Sequence, residues 1–391
     1  MLGATFTHEY SVESVAACNP SMVLHPDQCS SPAGTARVII SVRTIGEGHR
    51  SSIGFRSGTV DTNGRVAIDD AALYPVIGTV HPAVFERAVF HRDLRAADKE
   101  SESAAFVLDH LPETFTAGAL DERLAALGTQ RDTRRDVTAT VDRLRSIADR
   151  SYRVDFAQDV ELSRRVLWPA MAAESHGMED ARFVRFVDSG GDITYYATYT
   201  AYDGNAIRQQ LVTTQDFVSF DVSSLAGRVA TNKGLALFPR RINGRFAALS
   251  RFDRETNSIA FSDDLHIWEH ATTLQVPQQS WEVIQLGNCG PPIETPDGWL
   301  VLTHGVGPMR TYSIGALLLD LHDPSMIIGQ LPEPLLTPES DEHDGYVPNV
   351  VYSCGGLLHG DTLVIPYGIA DTSTGIATVS WTELRTALLT T

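Results

Sequence analysis

Three stretches of this 391-residue chain place ionisable side chains where a purely structural β-protein would have little use for them. In Gly177-Met178-Glu179-Asp180-Ala181-Arg182, two adjacent carboxylates and a guanidinium stand just ahead of an apolar run. Such a trio is costly unless solvated or paired. It reads either as a surface turn closed by a salt bridge or as an acid whose pKa is tuned by Arg182 and its neighbours. In Thr231-Asn232-Lys233-Gly234, a lysine precedes the apolar Leu235-Ala236-Leu237-Phe238. Its ammonium either presents itself to an anion or sits in a solvated turn. The third stretch, residues 287–312, sets His304 and Tyr312 around a Gly-rich turn and Glu294 after two prolines. Further on, Glu342 and Asp371 lie beside apolar strand-like segments. Carboxylates there suit sugar hydroxyls or plain solvent equally.

The elements that must position these groups read as short β-strands. Residues 36–42 (ARVIISV), 51–59, 183–187, 195–199, 246–250, 299–303, 314–320 and 362–367 are examples. They are separated by turn sequences such as SGGD, YDGN, INGR and HGD. Many short strands with Gly, Asp and Asn turns predict an all-β sandwich, barrel or propeller. Residues 91–165 differ. Leu120, Leu124 and Leu127, then Val137, Val141, Leu144 and Ala148, recur at helical spacing among charged positions. This segment is expected to be a helical insertion of two or three helices within one domain spanning 1–391, serving packing or association between copies. Residues 380–390 are expected to form a terminal helix.

Composition narrows the partners. The formal charge is -18, from 31 basic and 49 acidic side chains. Such a surface repels nucleic acid and anionic lipid, so neither is an expected partner. The sequence contains no run apolar and long enough to span a bilayer, and the MLGATFTHEY start lacks the pattern of a secretory signal. The four cysteines, Cys18, Cys29, Cys289 and Cys354, form no CxxC pair and read as free thiols, with no metal site. A cytoplasmic location is expected.

Taken in order, several motifs resemble those of glycoside hydrolase family 130, the β-mannoside phosphorylases and related mannosidases. GMEDAR is similar to the family's G-x-E-D-P-R, TYTAYDG to its YTAYD strand, and NKGLALFP to its basic residue ahead of L-F-P. GPPIETPDGWLVLTHGV, LLLDLHDP, GYVPNVVY and PYGIAD complete the set. The resemblance implies an all-β, five-bladed β-propeller with an axial active site and the helical insertion. It implies that Asp180 is the single acid, with Asp203 in reserve, and that Lys233, His304 and Tyr312 hold phosphate. Arg43, Glu179, Arg182, Asp203, Asn232, Glu294, Glu342 and Asp371 are then the sugar-binding candidates. Ala181 stands where the family has proline, Ala230 and Thr231 stand where an arginine is common, and Glu294 replaces a frequent lysine. Arg43, Glu47, His49 and Arg56, in a stretch that matches the family only in part, suggest a subgroup with its own substrate choice.

The residue types fit that chemistry. An inverting hydrolase needs one carboxyl to protonate the leaving oxygen and another to activate water. A phosphorylase needs only the acid, because phosphate is already a nucleophile and cations can hold it. The expected reaction is inverting phosphorolysis of a small β-mannoside oligosaccharide to α-mannose 1-phosphate, with inorganic phosphate as co-substrate and no cofactor. The acid must hold a proton near neutrality, so its pKa is expected to be raised. The alternatives are a hydrolase using Glu294 or Glu342 as base, and a non-catalytic sugar-binding propeller.

Overall fold

A computed structural model describes residues 11–29, 31–96, 99–129, 135–339, 345 and 347–390. The main body is β-structure in antiparallel meanders. The first is Ala16–Leu24, Ala36–Ile45 and Ser51–Val60; the second is Gly177–Val187, Ile193–Tyr202, Ile207–Thr214 and Ser219–Ser224. A single parallel pairing, Gly177 with Ser51, joins them into one 12-stranded sheet. The third meander runs Ala236–Leu237, Phe246–Ser250, Asn257–Ser262, Ala271–Gln275. The fourth runs Gln285–Asn288, Gly298–Val306, Tyr312–Leu319, Ile327–Gln330, and Ile293–Thr295 pairs with its second strand. The fifth contains Val351–Tyr352, Leu357–His359, Thr362–Ile369 and Ser373–Ser380.

Strand periodicity explains how the meanders pack. Along Gly298–Val306 every residue is buried, and alternate side chains go to opposite faces. Trp299 and Val301 join Phe238, Leu249 and Ile259 of the third meander. Leu300 and Leu302 join Val351, Leu363 and Ile365 of the fifth. The same logic packs Ile39 and Phe55 on Phe183 and Tyr199, Val184 and Phe186 on Leu237 and Phe246, and Met22, Val38 and Ile40 on Val364. Each large side chain buried in these layers contributes about 1.5–3 kcal/mol. The terminal helix Trp381–Leu389 seals the fourth–fifth layer with Trp381, Leu384 and Leu388.

Four helices, Arg87–Ala96, Glu102–Leu108, Ala117–Gly128 and Val137–Ala148, form the insertion. They share their own core, including Phe90, Val107, Leu120, Leu124, Leu127 and Leu144. Ser101 and Thr116 cap two of them, each side-chain oxygen accepting from a backbone N–H three residues on. Arg92 ties the insertion to the third meander through Asp264 at 2.7 Å. The helical range is narrower at its C-terminal end than the sequence pattern implied. Tyr152–Asp155 is a strand paired between Ser219–Ser224 and Thr79–Pro82, and Arg165–Leu167 pairs with Ile53 and Gly54. In the first of these Tyr152 and Val154 are buried while Arg153 and Asp155 lie nearer solvent, a two-residue period masked by the charges. None of the described helices is long and apolar enough to cross a membrane.

Candidate active site

Asp180 owes its position to a β-bulge. Glu179 pairs with Thr200 and Arg182 with Thr198, so Asp180 and Ala181 together oppose Tyr199 alone. Asp180 has φ +54°, a left-handed conformation that Asp and Asn tolerate better than most residues. Such a bulge re-aims a side chain out of the strand's alternation. Ala16–Leu24 bulges at the corresponding place, between Cys18 and Ser21, and Asn19 there has φ +50°. The Asn19 Nδ2 donates to Asp180 Oδ1 at 2.8 Å. A third inner segment adds Ala370 and Asp371, both left-handed.

Around Asp180 the charges alternate. Arg43 donates to Glu179 at 2.6 Å and stands 3.6 Å from Asp180 Oδ1. Lys233 Nζ donates to the other Glu179 oxygen at 2.6 Å. The Glu179 carboxylate is thus shared between two cations. Arg182 is buried and donates to the Asp180 backbone carbonyl and to the Tyr352 hydroxyl, each at 2.8 Å.

These charges set the proton affinities. Burial pushes the Asp180 carboxyl up, but Arg43, Lys233, Arg182 and the Asn19 amide outweigh it and hold it below the usual carboxylate range. This corrects the expectation of a raised pKa for the ligand-free site: four groups that stabilise the anion win over desolvation. Asp371 behaves oppositely. Burial and then the Asp180 charge raise its pKa, with Arg43 acting against them. Cys18, also beside Arg43, is pushed up to about 12 by burial and is no nucleophile.

The second half of the cluster centres on Arg251, which follows the strand Phe246–Ser250. Its guanidinium donates to His304 Nε2 at 3.1 Å, and Asn232 Nδ2 donates to its backbone carbonyl at 3.1 Å. Since Arg can only donate, His304 Nε2 accepts and the ring proton belongs on Nδ1. Burial, reinforced by Arg251 and Arg182, holds the His304 pKa well below its ordinary value. His304 is therefore a neutral ring near pH 7, and Arg251 is the cation beside it. A Cβ on Gly287 would lie 2.6 Å from His304 Cε1 and 2.8 Å from Arg251 Cδ, so glycine leaves the room this pair occupies. Tyr312 stacks on His304, centroids 6.2 Å apart, and Tyr352 meets the same ring edge-on at 4.9 Å.

The structure thus gathers Arg43, Glu179, Asp180, Arg182, Asn232, Lys233, His304, Tyr312 and Asp371. Asp203 and Glu294 stand apart. The Asp203 carboxylate accepts the backbone N–H groups of Asn205 and Ala206, which close its own turn, and those bonds lower its pKa. An ionised turn residue of this kind makes a poor reserve acid. Glu294 pairs with Arg240 at 2.7 Å and lines a different cavity, with Leu24, Val187 and Leu358. Leu24 and Val187 end the strands that carry Asn19 and Asp180. Glu342 lies outside the described residues. Arg56 is held by Glu13 at 2.5 Å. Among the described residues no cluster of His, Cys, Asp and Glu suits a metal. The residues that sequence reasoning missed are Asn19, Arg251 and Tyr352. The signals available were Asn-Pro interrupting an apolar strand and an arginine directly after ALS.

Comparison with known proteins agrees with these motifs. A family model described as beta-1,4-mannooligosaccharide phosphorylase matches residues 147–388. A 1,2-beta-oligomannan phosphorylase of Thermoanaerobacter sp. (strain X514) is 36% identical over 231 residues, covering 58% of this chain and 76% of that protein. A beta-1,2-mannobiose phosphorylase of Listeria innocua serovar 6a is 34% identical over 216 residues, 53% of this chain and 59% of that one. The solved complex of the beta-1,2-mannobiose phosphorylase from Listeria innocua with beta-1,2-mannobiose superposes with a TM-score of 0.56. That superposition spans 99% of this chain and 95% of the other at 21% identity, a likeness of fold. Since the matched stretch takes in 147–388, more than half of the sequence, the chain belongs to glycoside hydrolase family 130.

Proposed function

We propose that this protein is an inverting β-mannoside phosphorylase, built as a five-bladed β-propeller, in which Asp180 protonates the leaving oxygen and Lys233, Arg251, Tyr312 and the neutral His304 receive phosphate. The propeller reading is supported by the core layers: first on second meander, second on third, third on fourth, fourth on fifth, and fifth back on first. The observation that carries the catalytic reading is the asymmetry around Asp180. One buried carboxyl, fixed by Asn19, faces a set of cationic and hydroxyl-bearing side chains. Glu179, the adjacent carboxylate, is engaged by Arg43 and Lys233. Burial and the Asp180 charge raise the proton affinity of Asp371, so the two carboxylates oppose each other's ionisation. The relatives' names, phosphorylases of β-1,2- and β-1,4-mannosides, point the same way.

Phosphate also resolves the low Asp180 pKa. A bound dianion held by Lys233 and Arg251 offsets cationic charge that stabilises the Asp180 anion, and adds its own repulsion. The acid then takes up its proton in the ternary complex, when it is needed. Phosphate attacks the anomeric carbon from the face opposite Asp180. The C–O bond to the leaving sugar breaks as Asp180 gives its proton to that oxygen, and the anomeric configuration inverts. No metal or organic cofactor takes part. Because the product is a charged sugar that conserves the bond energy, a cytoplasmic setting suits the reaction.

The test is incubation with β-1,2- and β-1,4-mannobiose, with and without phosphate, followed by NMR of the products. Phosphate-dependent α-mannose 1-phosphate supports the reading. Free mannose at the same rate without phosphate selects hydrolysis, and binding without turnover selects a lectin-like role.

A further inference from the structure

The same local turn stands ahead of each half of the site. In the short helical turn Ala172–Glu174, the Glu174 Oε2 accepts the backbone N–H groups of Ala170 at 2.9 Å and Met171 at 3.3 Å. In Ser280–Glu282, the Glu282 Oε2 accepts those of Gln278 at 3.1 Å and Gln279 at 3.2 Å. The match continues along the chain. Two residues after each glutamate a backbone N–H donates to a carbonyl at the end of the next strand, His176 to Tyr202 and Ile284 to Val306, both at 2.9 Å. Three residues after each glutamate an inner strand begins, at Gly177 and at Gln285. Six residues after stand Asp180 and Asn288. Asp180 is the candidate acid. Asn288 Nδ2 donates to the carbonyl of Gly234, next to Lys233, at 2.7 Å, and Gly287 beside it pairs with His304. One turn thus fronts the acid and the other the groups assigned to phosphate.

Both glutamates are sealed from water, at 0% and 1% exposure. A carboxylate is costly there unless donors surround it. Beyond the backbone N–H groups, Glu174 accepts the Tyr152 and Tyr199 hydroxyls, and Glu282 accepts Gln275 Nε2 at 3.3 Å. Every partner is a donor. Glutamine has the same size, but its NH2 would face some of these donors with another donor. Tyr199 is the residue that opposes Asp180 and Ala181 across the bulge, and it shares a core with Met178 and Ala181. Tyr152 belongs to the strand that follows the helical insertion. Reacting groups need such supporting contacts, because a misplacement of about 1 Å can cost about 10²-fold in rate.

We infer that Glu174 and Glu282 are positioning residues, each locking the entry of one inner strand. Glu174, through Tyr199, sets the bulge that aims Asp180. Glu282, through the strand that carries Asn288, sets the Lys233 and His304 side. The assignment of the second half to phosphate rests on the phosphorylase reading above.

The experiment compares Glu174→Gln and Glu282→Gln in the full chain. Steady-state kinetics varies β-1,2-mannobiose and phosphate in turn, with rates normalised to folded protein, and calorimetry titrates phosphate. Glu174→Gln is expected to lower kcat by roughly tenfold or more with phosphate affinity unchanged, the scale of a lost hydrogen bond to a charged group. Glu282→Gln is expected to raise the KM and the calorimetric Kd for phosphate, with a smaller change in kcat. Losses of the same kind in both variants, or thermal destabilisation with wild-type constants, overturns the inference. Milder variants decide the matter where a glutamine variant does not fold. Tyr152→Phe and Tyr199→Phe each strip one hydroxyl from the same carboxylate, so both lower stability, but only Tyr199→Phe should lower kcat. Equal kcat in the two rejects the role of Glu174. Gln275→Met removes one donor to Glu282 and should weaken phosphate alone; unchanged phosphate affinity rejects the role of Glu282. A wild type that releases mannose without phosphate and binds none by calorimetry sinks the phosphorylase reading. The Glu174 and tyrosine variants are then read on the rate of mannose release.

Discussion

The Asn19 side chain reaches Asp180 Oδ1 over 2.8 Å from a bulge on a neighbouring inner strand, and both residues hold positive φ. The bulge that aims the acid and the bulge that steadies it thus meet in one hydrogen bond. Asn19 favours the Asp180 anion, so Asn19→Ala is expected to raise the Asp180 pKa. An acid works only while protonated, so the alkaline limb of the kcat/KM profile should move to higher pH. Lost positioning should lower kcat by roughly 10-fold or more, the scale of a hydrogen bond to a charged group. A rate loss with an unmoved pH profile would assign Asn19 a purely structural role.

Asp180→Asn keeps the size of the side chain and removes the transferable proton. Activity should fall by about 10²–10⁴-fold, the usual contribution of a general acid. Affinity for mannobiose, read by calorimetry, should change far less. Asp203→Asn is the contrasting variant. Its carboxylate serves a turn, so turnover should stay close to wild type while thermal stability declines slightly.

Arg251→Ala and Lys233→Ala should each raise the KM for phosphate more than the KM for the sugar. Steady-state kinetics with each substrate varied in turn separates the two. Arg251→Ala should also lift the depressed His304 pKa, since Arg251 is one of the charges that hold it down.

His304 links stability to pH. Its folded-state pKa lies below that of the unfolded chain, about 6.5. Below that value the unfolded chain takes up a proton that the folded chain refuses, so stability falls as pH drops from about 6.5. His304→Gln should flatten this part of the curve in denaturant melts at pH 7.5 and 5.5. Asp180, also depressed, acts in a lower window. Its contribution is present above about 3.9 and is lost as pH falls through its folded-state pKa.

Glu294→Gln breaks the pair with Arg240 on a surface away from Asp180. A change in stability of about 0.2–1 kcal/mol is expected, with unchanged turnover. A loss of activity comparable to that of Asp180→Asn would put Glu294 back among the reacting groups.

Local structure was legible in the order of residues. Alternating apolar residues specified short strands, and the four- and three-residue spacing of Leu120, Leu124 and Leu127 specified a helix, because those periods are properties of the backbone. Ordered motifs around Glu179, Lys233 and His304 were enough to suggest a family and an acid. The tertiary structure alone decided which charges face one another. Asp203 and Glu294 are as polar as Asp180 in sequence, yet one closes its own turn and the other pairs with Arg240 elsewhere. Arg251, just after one strand, and Asn19, inside another, stand outside the motifs, yet one meets His304 and the other Asp180. The physical reason is that a side chain's direction depends on bulges and left-handed residues that shift strand register. Its proton affinity depends on neighbours more than a hundred positions away, as Asp180 does on Arg43 and Asn19.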